Sequence, residues 1–253
     1  MQMSVCNGFL VSTVPKSGTH LLMQILEAVP LMNLKKFYYF ETSCKQTNLE
    51  QLNNFKKELL SLKKYDALLG HHWYSSHCKE LLDSLKVKHV YLYRDPRDVI
   101  ISYINHCIRF NDQPISGILK SCTSIQEAIL MVLSGNNNEY PRFIELFNPT
   151  YQWIEFKNDS NFYCISYESL VSIDTRYDTI YKLIEFLYDD LPLSISEMTN
   201  LGMKGINPDT CPTFHKGEIG QWANFFDEVV KEHFKDAIGN LLIETGYEKD
   251  NNW

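Results

Sequence analysis

The segment that most constrains the fold is an apolar stretch, Gly8 to Val14, followed by a short turn and an amphipathic stretch from Thr19 to Val29. The first stretch predicts a β-strand, and the apolar residues of the second recur at helical spacing. A strand, a tight turn and a helix N-terminus in this order direct backbone N–H groups and the positive end of the helix dipole at one spot. We therefore expect an anion-binding loop here.

The turn reads Pro15 to Thr19, in the order P-K-S-G-T. Lys16 adds a mobile cation, and Ser17 and Thr19 add hydroxyl donors. A Walker loop places its lysine directly after a second glycine. Here Lys16 precedes the only glycine of the turn, so the Walker pattern is not matched. Taken alone, the segment could also be a strand-to-helix turn with an incidental lysine.

A second anion-binding segment is predicted where an apolar stretch, Val90 to Tyr93, meets the sequence R-D-P-R-D. Asp95 is a suitable N-cap and Pro96 a suitable first helical residue, so a helix should begin there. Arg94 then lies at the carboxyl end of a strand, which is the edge where open α/β sheets bind ligands. Ser102 lies two turns into that helix and can face the side that Arg94 borders.

A third segment, Phe214 to Trp222, reads F-H-K-G-E-I-G-Q-W. Glycines close to a lysine allow backbone N–H groups to approach a phosphate. The three segments resemble, in the same order, the 5′-phosphosulfate loop, the 3′-phosphate motif and the closing loop of sulfotransferases. These enzymes use 3′-phosphoadenosine 5′-phosphosulfate (PAPS) and release 3′-phosphoadenosine 5′-phosphate (PAP).

The resemblance implies an α/β, P-loop-like sulfotransferase fold, with PAPS as donor, PAP as product and no metal. It also implies the nucleotide-binding residues, which are Lys16, Ser17, Gly18, Thr19, His20, Leu21, Arg94, Ser102, Tyr167, His215, Lys216 and Gly217. The sequence departs from the family at several positions, among them His20 in place of a second threonine and Gly70 in place of a lysine. His215 replaces an arginine, Gln221 replaces an aspartate, and Leu21 replaces the tryptophan that stacks on adenine, which leaves Tyr167 as the candidate to hold this base.

The catalytic base is expected to be a histidine after the short apolar strand Ala67 to Leu69, which ends at Gly70. The sequence G-H-H-W-Y-S resembles the stretch that carries the family's catalytic histidine. Aligning its glycine, tyrosine and serine selects His71, whereas counting back from Arg94 selects His72; we prefer His71. Lys16 is the candidate that stabilises charge on the leaving oxygen. Aromatic residues are candidates to contact the acceptor: Phe37, Tyr38, Trp73, Tyr74 and Phe110.

These residues predict a sulfotransferase that moves the sulfuryl group in line to a hydroxyl or amine of a small molecule. An acidic, aromatic pocket would suit a cationic acceptor, so a bacterial secondary metabolite such as a saxitoxin-type alkaloid is one candidate. Two alternatives stay open. One is a P-loop-type nucleotide or small-molecule kinase, and the other is a non-catalytic PAPS-binding protein.

Composition limits the other classes of function. The chain has 253 residues, 44% of them hydrophobic, enough for one α/β domain spanning residues 1–253, with a parallel sheet flanked by helices. The net charge of −7 argues against a nucleic-acid partner. We see no membrane segment and no room for a signal peptide, so a cytoplasmic location is expected. The seven cysteines are scattered and read as free thiols.

Further expectations concern assembly, metal binding and the remaining elements. The dimer motif of animal cytosolic members is not found, so the oligomeric state is left open. The group His71, His72, His77 and Cys78 matches no common zinc spacing. Lys88 to Tyr93 and Phe162 to Ser166 predict further strands. Thr199 to His215 is expected to be a loop acting as a lid, and Asn224 to Leu242 the last helix.

Overall fold

The computed structural model describes residues 6–38, 49–136, 139–190, 193–210 and 217–253, without the side chains of residues 36–38 and 49. Its contacts divide the chain into two compact units. The first unit comprises Met1–Tyr93 and Glu155–Phe214, and the second comprises Arg94–Ile154 and His215–Trp253. The single domain expected from the sequence stays a prediction.

The first unit is built on a five-stranded sheet in the order β2-β3-β1-β4-β5, with every neighbouring pair parallel. The strands are β1 (Phe9–Thr13), β2 (Asn33–Tyr38), β3 (Asp66–Gly70), β4 (Lys88–Tyr93) and β5 (Phe162–Ser166). The helices of both units are, in chain order, α1 (Thr19–Glu27), α2 (Leu49–Ser61), α3 (Ser76–Ser84), α4 (Pro96–Phe110), α5 (Ser116–Ser121), α6 (Ile125–Ser134), α7 (Phe143–Tyr151), α8 (Tyr167–Val171), α9 (Arg176–Leu187), α10 (Ile195–Gly205), α11 (Glu228–Ile238) and α12 (Leu241–Glu244).

The two faces of the sheet carry alternate residues of each strand, as the pleat requires. One face, which includes Val11 and Leu92, forms a buried core with α1, α8, α9 and α10. The opposite face carries Ser12 and His89, which are joined by a hydrogen bond. On that side the Phe55 ring of α2 lies 5.6 Å from the ring of His72. The predicted parallel sheet flanked by helices is confirmed.

The predicted loop from Thr199 to His215 is wrong over its first part, because α10 continues to Gly205. The glycines of α10 allow this helix to pack closely against α1. A Cβ atom at Gly205 would overlap the Cβ of Ala28 and would lie 2.6 Å from the carbonyl oxygen of Gln24, at the end of α1. The same Gln24 side chain donates to the Asn207 carbonyl oxygen at 2.8 Å and accepts from the Asn207 amide at 3.1 Å. Residues 211–216 lie outside the described part of the chain.

The second unit contains α4, α5, α6, α7, α11 and α12. Helix α4 begins as predicted, with Pro96 as its first residue and the Asp95 side chain accepting a hydrogen bond from the Arg97 amide. The predicted last helix is shorter and interrupted. The Asp227 side chain caps α11, and a break at Gly239, which has φ 58°, separates α11 from α12.

Three further observations on the described residues concern cysteines, helix length and possible metal ligands. Among the described cysteines, no disulfide bond joins Cys6, Cys78, Cys107, Cys122 or Cys164. Among the described residues, no helix has both the length and the apolar character that crossing a bilayer requires. No cluster of three or more His, Cys, Asp or Glu side chains placed to hold a metal ion occurs in this part of the chain.

Candidate active site

The loop between β1 and α1 has a defined backbone conformation. Lys16 and Gly18 both have positive φ angles, 68° and 93°. The Ser17 hydroxyl is fully buried and donates to the Val14 carbonyl oxygen at 2.5 Å, and the Ser17 amide donates to the same oxygen at 3.2 Å. The Ser17 side chain therefore fixes the shape of the turn, and its predicted contact with a phosphate stays a prediction.

The loop presents the N-terminus of α1 without a side-chain cap. Gly18 is the N-cap residue, no side chain accepts a hydrogen bond there, and the first turn carries no acidic residue. The first N–H groups of a helix have no partner within the helix, and they attract anions. This end of α1, which includes Thr19, His20 and Leu21, therefore fits the phosphosulfate group predicted from the sequence.

Tyr167, the first residue of α8, packs directly against this loop. A Cβ atom at Gly18 would lie 2.6 Å from Cδ2 of the Tyr167 ring, so only glycine fits there. The Tyr167 side chain is buried. The carboxyl end of β5 thus contributes an aromatic ring beside the anion-binding loop, while the contact of Tyr167 with adenine stays a prediction.

His71 follows β3 and is hydrogen-bonded to the last residue of β1. Its Nδ1 atom lies 2.8 Å from the Thr13 carbonyl oxygen and 2.9 Å from Thr13 Oγ1. A carbonyl oxygen only accepts, so this network assigns the proton to Nδ1 and the lone pair to Nε2. Thr13 Oγ1 also lies 2.9 Å from Thr19 Oγ1, which links the histidine to the start of α1.

The electrostatic surroundings keep His71 neutral. Burial, and secondarily the charge of Lys16, lower the pKa of His71 to about 4, while the hydrogen bond to Thr13 opposes this shift. The pKa of His20 in the loop is lowered by the same two causes, burial first. A neutral imidazole with its lone pair on Nε2 is the form that accepts a proton.

His72 points to the other face of the sheet. Its Nδ1 atom lies 3.3 Å from Ser12 Oγ, and the same hydroxyl lies 2.7 Å from Nε2 of His89. Its side chain is completely buried, whereas His71 keeps 8% of its surface exposed. Burial, and to a lesser extent His71, lower the pKa of His72 to about 3. His72 is therefore one end of a buried chain of two imidazoles and a hydroxyl.

The residues predicted to contact the acceptor lie in different places. Trp73 and Tyr74 follow the histidines and are partly exposed; the Tyr74 ring lies 5.4 Å from the Phe156 ring. The backbone of Phe37 and Tyr38 pairs with the end of β3, at Leu69 and Gly70, but their side chains lie outside the described part of the protein. Phe110, the last residue of α4 in the second unit, is 41% exposed.

In the second unit, Arg94 is held by two partners. Its Nη2 atom donates to the Glu218 carbonyl oxygen at 2.9 Å and lies 3.3 Å from a carboxylate oxygen of Asp98. Ser102 is half-buried on α4, one turn beyond Asp98. Gly217, with φ 68°, belongs to the segment that Arg94 contacts, whereas His215 and Lys216 lie outside the described residues.

The sequence reasoning missed Arg97 and Asp98, which organise this region. Arg97 pairs with the Asp95 carboxylate at 2.8 Å, and its guanidinium lies 3.8 Å from the centre of the Trp222 ring. Asp98 accepts hydrogen bonds from the backbone amide of Trp222. In the sequence, the only local indication of this role is that R-D-P-R-D contains a second arginine and a second aspartate. Trp222, which both residues contact, lies more than a hundred residues further along the chain, at a separation of 124 from Asp98.

Comparison with known proteins identifies the family. The model of the sulfotransferase domain matches residues 7–246. Similar curated proteins include sulfotransferase 2A6 of Mus musculus, 24% identical over 252 residues that cover 92% of this chain and 84% of the relative. The 3-beta-hydroxysteroid sulfotransferase of Cavia porcellus is 24% identical over 253 residues, covering 88% of this chain and 79% of the relative.

Solved structures show the same fold. Mouse sulfotransferase SULT7A1 complexed with PAP superposes with a TM-score of 0.64 at 21% identity, covering 97% of this chain and 91% of that structure. Retinol dehydratase in complex with androsterone and the inactive cofactor PAP gives a TM-score of 0.63 at 17% identity, covering 94% and 81%. Since the family model matches nearly the whole sequence, this chain belongs to the sulfotransferase family.

Proposed function

We propose that this sulfotransferase transfers the sulfuryl group of PAPS to a hydroxyl or amine of a small molecule, with His71 as the general base. The observation that carries the proposal is the hydrogen bond from His71 Nδ1 to Thr13, at the end of the strand from which the Lys16 loop starts. This bond leaves the lone pair on Nε2, so the imidazole can accept the proton of the attacking group.

The nucleotide-binding residues are proposed for each unit in turn. In the first unit, the uncapped N-terminus of α1 and the Lys16 side chain bind the 5′-phosphosulfate group. From the second unit, Arg94, Ser102, His215, Lys216 and Gly217 are the residues proposed to bind the 3′-phosphate. Tyr167 is the proposed contact for adenine. When bound, PAPS supplies the activated sulfuryl group and a phosphate leaving group, chemistry that needs no metal.

Lys16 and His71 have opposite tasks in this proposal. Lys16 keeps its positive charge and stabilises the negative charge that develops on the bridging oxygen, as a point charge on a flexible stem can. His71 must be neutral, and its lowered pKa of about 4 keeps it so at neutral pH. His72 is the alternative base, but its Nδ1 contacts Ser12 in a completely buried chain of hydrogen bonds.

The acceptor is proposed to contact Trp73, Tyr74, Phe37 and Tyr38, with Phe110 as a further candidate. Two classes of acceptor follow from different observations. The relative from Cavia porcellus is named for 3-beta-hydroxysteroids, which favours an apolar alcohol. The net charge of −7 favours a cation, such as a saxitoxin-type alkaloid of bacterial secondary metabolism.

A direct assay tests the proposal. The protein is incubated with PAPS and two acceptor panels, hydroxysteroids and guanidinium alkaloids, and sulfated products are measured by mass spectrometry together with released PAP. We expect one panel to be sulfated with equal amounts of PAP formed. In a parallel incubation with ATP in place of PAPS, phosphorylated products would support the kinase alternative. Tight PAP binding without turnover on any acceptor would leave a non-catalytic PAPS-binding protein.

We also propose a cytoplasmic location without nucleic-acid partners. The cysteines that the structure describes form no disulfide bond, which suits a reducing compartment, and the negative net charge disfavours nucleic-acid binding. Cell fractionation tests the location; recovery with membranes or outside the cell would contradict it. The oligomeric state needs a separate measurement of mass in solution.

A further inference from the structure

Asp98 has an unusual position in the second unit. It lies in the first turn of α4, and its side chain is completely buried. It binds three groups, one from the residue range before the helix and two from a distant loop. Its Oδ2 accepts from the Gly220 amide at 2.8 Å and lies 3.3 Å from Arg94 Nη2, and its Oδ1 accepts from the Trp222 amide at 3.1 Å. One carboxylate thus joins an arginine to the backbone of a distant loop.

The same loop is fixed at two further points. Arg94 donates to the Glu218 carbonyl oxygen, so the loop and the arginine contact each other as well as Asp98. The Arg97 guanidinium stacks on the Trp222 ring at 3.8 Å and on the Trp253 ring at 4.7 Å. Gly220 has φ 74°, which lets the backbone turn its amide toward Asp98.

We propose that Asp98 is a positioning residue that makes the enzyme selective for 3′-phosphorylated nucleotides. It sets the direction of the Arg94 guanidinium and of residues 218–222 before the nucleotide binds. The inference rests on the proposed function, because it assumes that Arg94 binds the 3′-phosphate. Because the Asp98 side chain is completely buried, it acts through Arg94 and the loop rather than by touching the nucleotide.

The physical reason is preorganisation. A carboxylate can accept from two amides and a guanidinium at once, and all three hydrogen bonds have a charged acceptor. An asparagine in its place offers one accepting oxygen, and its own NH₂ group would face N–H donors. Arg94 and the loop would then have to be ordered by the nucleotide, and this ordering would lower the affinity for the 3′-phosphate.

The test compares PAP with AMP, which lacks only the 3′-phosphate, by titration calorimetry on the full chain. For Asp98→Asn we expect PAP affinity to fall about ten- to a hundredfold, since hydrogen bonds to charged groups are lost. AMP affinity should stay within about twofold, so the PAP-to-AMP ratio of affinities should collapse. An unchanged ratio, or an equal loss for both nucleotides, overturns the inference.

Asp66→Asn is the matched control. Asp66 is a buried aspartate of the first unit that accepts from the Lys63 amide at 3.0 Å and pairs with Lys35 at 3.4 Å. Its replacement should lower the melting temperature without changing the PAP-to-AMP ratio. If it lowers the ratio as Asp98→Asn does, the ratio reports general destabilisation and the inference is overturned.

A second pair of variants covers the case in which Asp98→Asn does not fold. Gly220 and Gly239 both have positive φ angles, and a Cβ atom added at either position would have no other atom within 4 Å. Alanine strains the backbone at either position, but only Gly220 donates to Asp98. Gly220→Ala should lower the PAP-to-AMP ratio and Gly239→Ala should not; equal ratios in the two variants count against the proposal.

Wild-type binding separates this inference from the proposed function. If the wild-type chain binds PAP no more tightly than AMP, the assignment of the 3′-phosphate residues is wrong. The proposed function then fails at this point, and the inference about Asp98 fails with it. If the wild-type chain prefers PAP and Asp98→Asn prefers it equally, only the role of Asp98 is wrong.

Discussion

His71 Nδ1 and the Thr13 carbonyl oxygen, 2.8 Å apart, join the ends of β3 and β1. Because Thr13 immediately precedes the anion-binding loop and also bonds to Thr19, the imidazole is oriented by the same residues that shape the start of α1. The Nδ1 atom of the neighbouring His72 instead contacts Ser12, on the opposite face of the sheet. The two adjacent histidines are therefore held in different surroundings.

The first prediction separates the two histidines. His71→Ala should lower kcat by about a hundredfold or more, because a general base contributes about 10²–10⁴ to the rate, while PAP affinity stays nearly unchanged. His72→Ala should act mainly on stability, since it removes a completely buried side chain. Steady-state kinetics and PAP titration on both variants provide the measurement. Loss of turnover in a well-folded His72→Ala alone would reverse the roles.

The second prediction concerns pH. The base works when neutral, so kcat/KM should fall as the pH drops through the pKa of His71, which burial lowers to about 4. An exposed histidine would give the same fall near pH 6.5. The pH profile of kcat/KM with an aliphatic alcohol acceptor measures this value. Tryptophan fluorescence at each pH checks that the protein is folded, and a half-maximal rate near pH 6.5 in folded protein would contradict the assignment.

The third prediction concerns Lys16. Lys16→Ala should lower kcat by about 10²–10³, the usual cost of losing one group that stabilises charge in the transition state. Binding of PAP should weaken far less, because the interaction with the leaving oxygen is strongest in the transition state. Kinetics and calorimetry on one preparation compare the two effects. A rise in KM with kcat unchanged would make Lys16 a binding residue only.

The fourth prediction uses two glycines. Gly18→Ala should destabilise the protein and weaken nucleotide binding, because φ is 93° and the new methyl group would lie 2.6 Å from the Tyr167 ring. Gly117→Ala is the control: this helical glycine has nothing within 4 Å of a Cβ, so alanine should stabilise the protein by about 0.5–1 kcal/mol. Urea unfolding measures both, and equal stability of the two variants would show that the Tyr167 contact is unimportant.

Local signals predicted part of the fold well. The bounds of β4 and β5 agree with the sequence prediction, and α4 begins where Asp95 and Pro96 indicated. Each of these features depends on residues that are adjacent in sequence: an apolar stretch, an N-cap and a proline at the first helical position. The family of the chain was also predicted, because each of the three motifs is a short continuous stretch of sequence.

Features set by distant contacts were not predicted. The edge strand β2 was not identified, because Asn33–Tyr38 contains two lysines and its strand conformation comes from pairing with β3. Gly202 and Gly205 suggested a loop, whereas their small size allows α10 to pack on α1. The bonds of Asp98 to Gly220 and Trp222 depend on how the second unit folds, and no local pattern encodes them.

The close packing of α10 on α1 limits how this part of the protein can change in evolution. Because the Cβ of Ala28 lies where a Cβ of residue 205 would meet it, one small side chain is needed to accommodate the other. Because a Cβ at residue 205 would also lie 2.6 Å from the Gln24 carbonyl oxygen, we expect position 205 to stay glycine among relatives and position 28 to stay small. A change that breaks this rule would push the end of α1 away from α10. Substitutions at these two positions would then displace the anion-binding loop, because the loop lies at the other end of α1.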